Sequence, residues 1–357
     1  MKLQKKILSL PLPPDFPNLP DFQRAFFFDI ETTGLSAKNA SIYMIGVLFF
    51  QEHAWHSIQW LAQDVSEESI ILEQFFSFCH PYDTLIHFNG RRFDLPFILE
   101  RCRYLHILCP LTGFFEFDLY QKIRPLKHML KLEKLNQKYL EHFLQISRLD
   151  SYSGKDLILL YHKYQIQTCQ ELEDALFLHN LEDLTGMVSL FSFFSYQYLK
   201  EGNFSLTEIL PSDDPINGFS LKVSTLLTYA LPVSFSFQNP YGHFCASGKT
   251  CQFFIQGTKG SLKHFFSDYK HYDYLTFEER VIHKTLSSYV ERSHRRPAKP
   301  EECYVPKTGY FLPQKTCFYT PSFQESYHSS TLFFEYKPEI FSDKSQFLAY
   351  MQDLFFL

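Results

Sequence analysis

Two carboxylates separated by one residue follow a run of phenylalanines near the N-terminus. Asp29 and Glu31 end the apolar segment at residues 25–31, which we predict to be a buried strand because a Thr-Thr-Gly turn follows it. Residues two apart in a strand share a face, so both carboxylates point the same way. Like charges on a buried strand are costly unless a cation neutralises them, and divalent ions with oxygen ligands do this. The pair therefore predicts a metal site rather than a solvated strand end.

A third carboxylate stands at the start of a predicted helix. Residues 84–88 are predicted to form a strand, an Asn-Gly turn follows, and Asp94 opens a helix over residues 94–105. A carboxylate in the first helical turn also suits the helix dipole, so an ordinary helix cap is the alternative interpretation. Arg91 and Arg92 are adjacent to this carboxylate site, which makes them candidates for phosphate contact.

A histidine and an aspartate four residues apart form the third element. His179 and Asp183 fall in a stretch with helical periodicity, so their side chains lie on one face of a helix. This geometry lets Asp183 hold a metal ion while His179 reaches a water molecule on it. A pair at this spacing is usually a surface pair when it stands alone, so its meaning depends on the other two elements.

The predicted elements that carry these residues follow a recognisable order. Three antiparallel strands come first, then a strand–helix–strand unit, then a helical region from about residue 131 to residue 198. The predicted strands cover residues 25–31, 41–50, 53–61, 84–88 and 115–119, and a helix over residues 67–78 is predicted to have Ser66 as its N-cap. This order predicts an α/β fold with a mixed sheet flanked by helices.

The segments FDIETTG, FNGRRFD and HNLEDL together resemble the three exonuclease motifs of the DEDD superfamily. More closely, the chain is similar to the ribonuclease-H-like exonuclease domain of the YprB type, over about residues 25–195. Phe117-Asp118-Leu119 and the stretch LDSYSGKDLILLY at residues 149–161 also look typical of that family. The resemblance implies four metal-binding acids and a histidine general base, which would be Asp29, Glu31, Asp94, Asp183 and His179.

The resemblance implies a 3′–5′ exonuclease with a two-metal-ion mechanism, using Mg²⁺ with Mn²⁺ as the alternative, on the 3′ end of DNA or RNA. The residues we expect to contact the substrate are Thr32, Asn89, Arg91, Arg92 and Phe93. The chain departs from the family in one respect. Enzymes of this superfamily with a catalytic His usually have four residues between it and the last Asp, whereas His179 stands at the three-residue spacing typical of a catalytic Tyr.

Two other functions stay open on the sequence alone. One is a catalytically weak or inactive nucleic-acid-binding module on the same fold, against which the retention of all four acids argues. The other is an endonuclease of the ribonuclease H type, a class that does not need the late His179–Asp183 pair for its base. That pair favours the exonuclease.

Length and composition predict two domains and no broad basic surface. The chain has 357 residues, 45% of them hydrophobic, and a formal net charge of −5. A shift towards Gly, Asn, Ser, Asp and Pro marks a boundary. The predicted divisions are an N-terminal arm at residues 1–24, the ribonuclease-H-like domain at 25–200, a linker at 201–218 and a smaller α+β accessory domain at 219–357.

The accessory domain offers weaker signals. A predicted helix at about residues 276–295 and its tail carry a run of basic residues, which is either a solvated face or a surface that guides the nucleic-acid strand. Eight scattered cysteines with no CxxC spacing indicate free thiols in a reducing cytoplasm. We expect no transmembrane helix, since no apolar run reaches 18 residues, and no secretory signal.

Overall fold

The computed structural model describes residues 1–214, 218–341 and 343–356. The chain divides into two compact units, Met1–Phe194 and Ser195–Leu357, which are described separately.

The first unit is built on a six-stranded mixed sheet. Its strands are β1 (Lys2–Leu8), β2 (Ala25–Thr32), β3 (Ile42–Gln51), β4 (Ala54–Leu61), β5 (Thr84–His87) and β6 (Phe115–Asp118). Their order across the sheet is β1-β4-β3-β2-β5-β6. Strands β1 to β4 pair antiparallel, whereas β5 lies parallel to both β2 and β6. The predicted antiparallel strands followed by a strand–helix–strand unit are confirmed.

Helices cover both faces of this sheet. They are α1 (Glu68–Cys79), α2 (Asp94–Leu105), α3 (Leu119–Ile123), α4 (Gln137–Phe143), α5 (Gly154–Ile166) and α6 (Gln170–Leu190). One core joins the sheet to α1 and α2, through side chains such as Phe75 and Ile98. A second core joins the opposite face to α5 and α6, through side chains such as Tyr161 and Phe177. The mixed sheet flanked by helices is the architecture predicted from the sequence.

The alternation of β2 decides where its carboxylates point. Phe26, Phe28 and Ile30 belong to the core under α1 and α2. Asp29 and Glu31 therefore emerge on the other face, towards α6. Directly opposite Asp29 on the neighbouring strand is Gly46. A Cβ atom at Gly46 would lie 1.9 Å from the side-chain oxygen of Asn180, so the glycine lets α6 approach the sheet beside Asp29.

Two local predictions in the first unit are wrong. Residues 2–8 of the predicted irregular arm form strand β1, which pairs along its whole length with β4. Its sequence, KLQKKIL, contains three lysines and does not alternate between apolar and polar residues, so the apolar signal of a strand is weak there. Ser66 does not cap a helix. Asp64 accepts the capping hydrogen bond at the start of a single 3-10 turn, and α1 begins at Glu68.

The second unit is rich in strands, as expected for an α+β domain. Strands β7 (Phe204–Asp214), β8 (Gly218–Asn239) and β9 (Gly242–Gln256) form one antiparallel sheet. The remaining strands are β10 (Thr258–Phe265), β11 (Tyr272–Leu275), β12 (Arg280–His283), β13 (Arg295–Pro297), β14 (Tyr304–Gln314), β15 (Ser322–Phe323) and β16 (Leu332–Glu335). They make a four-stranded sheet in the order β10-β14-β16-β15 and a three-stranded sheet in the order β12-β11-β13.

The second unit's helices are short except for the last. They are α7 (Phe194–Lys200), which begins at the division, α8 (Lys284–Ser287) and α9 (Lys344–Phe355). Two predictions are wrong here. The linker at residues 201–218 contains β7, which pairs with β8, although residues 215–217 fall outside the described ranges. The basic helix at 276–295 is instead β12, α8 and the start of β13. None of the helices in the described ranges has the length and apolar character to cross a membrane.

Candidate metal centre

The end of β2 meets the middle of α6 at a cluster of ionisable groups. Glu31, His179 and Asp183 each offer one ligand atom, and these atoms all lie within 4.8 Å of one another. Nε2 of His179 is 3.7 Å from Oε1 of Glu31 and 3.2 Å from Oδ2 of Asp183. The predicted stacking of His179 and Asp183 on one helix face therefore places both beside the strand carboxylates.

Asp29 completes the strand side of this cluster. Its Oδ2 accepts a 2.9 Å hydrogen bond from Nδ2 of Asn180, the residue after His179 on α6. Asn180 is fully buried, and its Oδ1 accepts a 2.8 Å hydrogen bond from Nε2 of Gln59 on β4. The orientation of Asp29 is thus fixed through two neighbouring elements.

Asp94 reaches the same cluster from the start of α2. It is not the helix N-cap, because Phe93 occupies that position and makes no side-chain cap bond. Only 8% of Asp94 is exposed, and the charges of Asp183 and Asp118 act on it. The helix-cap interpretation therefore does not describe this residue, whose carboxylate belongs to the acidic cluster.

Burial and mutual repulsion raise the pKa values of three acids in this cluster. Burial, reinforced by the charges of Asp183, Glu31 and Asp94, raises the pKa of Asp29 well above its usual value. Burial raises the pKa of Glu31 to about 8 despite the nearby His179, and raises that of Asp94 to about 7. A bound divalent cation removes such a penalty, because it stabilises the ionised carboxylates. The mainly oxygen donor set fits a hard ion such as Mg²⁺ or Mn²⁺.

His179 is held from its other ring nitrogen by a residue that sequence reasoning did not single out. Nδ1 lies 2.6 Å from Oδ2 of Asp150, which also accepts a 2.8 Å hydrogen bond from Nζ of Lys138. Burial lowers the pKa of His179, but the hydrogen bond to Asp183 and the charges of Glu31, Asp183 and Asp150 outweigh it and raise the pKa to about 9.

Asp183 has a cationic partner as well. Nη1 of Arg148 donates a 2.5 Å hydrogen bond to Oδ1 of Asp183, and the same guanidinium forms two hydrogen bonds with the buried Glu141. Burial raises the pKa of Asp183, but the hydrogen bonds and charges of His179 and Arg148 outweigh it and lower the pKa. Asp183 is therefore the acid of this cluster most strongly held as a carboxylate.

A cleft of about 620 Å³ opens onto these groups. All five predicted catalytic or metal-binding residues line it. Of the predicted substrate contacts, Asn89 and Phe93 also line it, together with Phe88 and Tyr120.

The other three predicted substrate residues lie elsewhere. Thr32 is buried, and its hydroxyl donates to the carbonyl oxygen of Gly34 at 2.8 Å. Nε of Arg91 donates to Glu116 at 2.9 Å, and Arg92 is exposed. None of the three is among the residues that line the cleft, and their contact with a substrate stays a prediction.

Sequence reasoning missed Arg148, Asp150 and Asn180. Arg148 and Asp150 lie in the segment between α4 and α5, where no periodicity marks a residue that faces the cluster. The stretch at residues 149–161 resembles the family, but the resemblance assigns Asp150 no role. Asn180 follows His179 directly on α6. A polar residue next to the candidate base is the one sequence feature that points to it.

The mixed six-stranded sheet with helices on both faces is consistent with a ribonuclease-H-like fold. Residues 26–194 match the RNase_H_2 family model of the RNase H superfamily. No curated protein matches the chain. Among solved structures, the chain is similar to the family B DNA polymerase from the hyperthermophilic archaeon Pyrobaculum calidifontis, with 13% identity and a TM-score of 0.39. That match covers 50% of this chain and 25% of the polymerase chain.

Proposed function

We propose that this protein is a metal-dependent 3′–5′ exonuclease that hydrolyses phosphodiester bonds of DNA or RNA. The observation that carries the proposal is the position of His179, whose Nε2 lies near both Glu31 and Asp183 in the lining of the cleft. A general base next to a metal-binding carboxylate pair is the arrangement that activation of a water molecule requires. The RNase H superfamily match supports a nuclease.

The four acids would hold the metal. Asp29 and Glu31 present their carboxylates from β2, Asp94 from the start of α2, and Asp183 from α6. Two divalent ions in this site would supply an activated water and neutralise the charge that develops on the leaving oxygen. Mg²⁺ is the expected ion, with Mn²⁺ as the alternative, because carboxylate oxygens dominate the donors.

His179 would take the proton from the attacking water through Nε2. This nitrogen faces Glu31 and Asp183, whose effects, together with the charge of Asp150, outweigh burial and raise the pKa of the imidazole to about 9. Cations bound to those carboxylates would cancel their attraction for the imidazolium and lower the pKa towards the working range of a base. Cation binding would therefore both fill the metal site and let His179 act as a base.

The aromatic side chains at the cleft are suited to binding the end of a nucleic-acid strand. Phe88, Phe93 and Tyr120 line the same cleft as the acids, and each offers a ring on which a terminal base can stack. An endonuclease of the ribonuclease H type does not need the His179–Asp183 pair, whose Nε2–Oδ2 distance of 3.2 Å places the imidazole at the cluster. Both features favour the exonuclease.

The test uses labelled single-stranded DNA, 3′-recessed duplex and RNA, each with Mg²⁺ or Mn²⁺, and a circular single strand. Wild-type protein should shorten linear strands stepwise from the 3′ end and release 5′-mononucleotides. Asp29→Asn should abolish this release, since it removes a metal ligand with almost no change in volume. Asp174→Asn is the matched control, because Asp174 is exposed on α6 and should leave the rate unchanged.

Other outcomes identify the alternatives. Cleavage of the circular strand would replace the exonuclease with an endonuclease. Binding of all substrates without cleavage, in wild type and Asp29→Asn alike, would indicate a nucleic-acid-binding module.

A further inference from the structure

A buried aspartate outside the four acids makes the shortest contact of His179. Asp150 Oδ2 lies 2.6 Å from Nδ1 of His179, and only 1% of the Asp150 side chain is exposed. The same oxygen accepts from Nζ of Lys138 at 2.8 Å, and Oδ1 accepts from the backbone N–H of Tyr152 at 2.9 Å. Both carboxylate oxygens therefore accept hydrogen bonds.

The loop that carries Asp150 is fastened to the helix that carries His179. The backbone N–H groups of Leu149 and Asp150 donate to Oε1 and Oε2 of Glu182, at 2.8 and 2.9 Å. Glu182 is three residues after His179 on α6, so one helical turn holds both ends of the Asp150–His179 contact. An aspartate on a free loop could not impose an orientation on the ring, whereas this one can.

The contact assigns the proton on the imidazole. Ionised Asp150 only accepts hydrogen bonds, so Nδ1 must carry a hydrogen when the two are 2.6 Å apart. In the neutral ring, Nε2 then has the free lone pair, and Nε2 is the nitrogen that faces Glu31 and Asp183. A base in the opposite tautomer would present a hydrogen to the water that it has to deprotonate.

We infer that Asp150 is a positioning residue, which fixes the Nδ1–H tautomer and the ring orientation of His179 so that Nε2 acts as the base. The inference rests on the proposed function, and it bears on the departure from the family pattern. His179 is one residue closer to the last aspartate than a catalytic histidine of that superfamily usually is. The contacts of Asp150 and Glu182 hold the ring at Nδ1, whereas Nε2 faces Glu31 and Asp183.

Asp150→Asn separates positioning from packing because it keeps the shape of the side chain. The backbone N–H of Tyr152 claims the amide oxygen, whereas Lys138 is 42% exposed and can turn to solvent. The amide NH₂ then points at Nδ1 and forces the hydrogen onto Nε2. We expect kcat to fall on the order of 100-fold or more, with KM within about twofold of wild type.

Tautomer and kinetics are measured on the full chain. Long-range ¹H–¹⁵N NMR, with and without Mg²⁺ and at a pH above the titration of the imidazole, should show a protonated Nδ1 in wild type and a protonated Nε2 in Asp150→Asn. The His179 signals are assigned from their loss in His179→Gln. Lys138→Met should keep the wild-type tautomer, and Asp174→Asn is the control for the same chemical change at an exposed site of α6.

A double-mutant cycle, with kcat as the measured quantity, completes the test. Asp150→Asn added to His179→Gln should lower kcat no further, since Asp150 acts through the imidazole. An unchanged tautomer in Asp150→Asn, or the same loss of kcat in both backgrounds, would overturn the inference. An inactive wild type would contradict the proposed function instead, and the tautomer would then decide the role of Asp150 by itself.

Discussion

Arg148 bridges Asp183 and Glu141, with its Nη1 2.5 Å from Oδ1 of Asp183 and its Nη2 2.7 Å from Oε1 of Glu141. Glu141 is almost fully buried, and its carboxylate lies against α6 where Gly186 leaves room for it. The arginine thus joins the segment before α5 to α6, the helix that carries Asp183. It also balances two negative charges in a region that water reaches poorly.

Replacement of Arg148 should cost stability because it leaves Glu141 buried without a cation. We expect Arg148→Met to lower the free energy of unfolding by about 3–5 kcal/mol, the usual cost of breaking a buried ion pair from one side. Urea denaturation measures it. Arg148→Met combined with Glu141→Met should recover much of the loss. Arg103→Met is the control, since its ion pair with Glu100 is exposed and contributes about 1 kcal/mol or less. A loss of unfolding free energy in Arg148→Met no larger than the loss in Arg103→Met would contradict this prediction.

The stability of the metal-free protein should fall as the pH rises. The pKa values of Glu31 and Asp94 are raised by burial to about 8 and about 7, from ordinary values of 4.5 and 3.8. The folded state therefore holds protons that the unfolded state has released, so stability present at pH 4 is lost as the pH passes 8. His179, whose pKa rises from 6.5 to about 9, extends the loss upwards. The lowered pKa of Asp183 acts with the opposite sign, and only near and below pH 4.

Chemical denaturation at pH 5, 7 and 9 tests this, with chelator and with excess Mg²⁺. With chelator the unfolding free energy should decline over this range, by the order of a few kcal/mol. With Mg²⁺ the decline should shrink or reverse, because the ion stabilises the ionised carboxylates. The variant Glu31→Gln should show a smaller decline with chelator. An equal decline in wild type with and without Mg²⁺ would mean that the acids do not bind the ion.

Gly46 should not tolerate a side chain. A Cβ atom there would lie 1.9 Å from Oδ1 and 2.8 Å from Cγ of Asn180. Gly46→Ala should push α6 off the sheet and separate Asp29 from Asn180, at a cost of about 1–3 kcal/mol in the free energy of unfolding. Mg²⁺ affinity measured by calorimetry should fall with it. Gly113→Ala is the matched control, since nothing lies within 4 Å of its added Cβ, and equal behaviour of the two variants would contradict the prediction.

Phe93 should affect substrate binding more than chemistry. Its ring lines the cleft, whereas the neighbouring Phe97 is buried in the core. We expect Phe93→Ala to raise KM for single strands about 10-fold with little change in kcat, within the range for loss of one stacked base. Phe115→Ala, at an exposed ring outside the cleft, should change neither. A loss of thermal stability with an unchanged KM would instead assign Phe93 to core packing.

Short-range regularities of the sequence determined much of this domain. The two-residue period of β2 sends Asp29 and Glu31 to one face, and the four-residue spacing stacks His179 on Asp183. The helix from Asp94 to Leu105 has the bounds that the sequence predicts. These features depend on neighbours within about one turn or one pleat, so the order of residue types is enough to derive them.

Only the tertiary structure decided which distant residues complete the site. Asn180 meets Asp29 from 151 positions away, Arg148 meets Asp183 from 35, and Asp150 meets His179 from 29. No period links such pairs, because loop lengths and the close approach of α6 at Gly46 set their distances. Strand β1 likewise depends on the open edge of β4, with which it pairs. A strand whose side chains are mostly exposed carries little apolar pattern, so its partner and not its sequence makes it a strand.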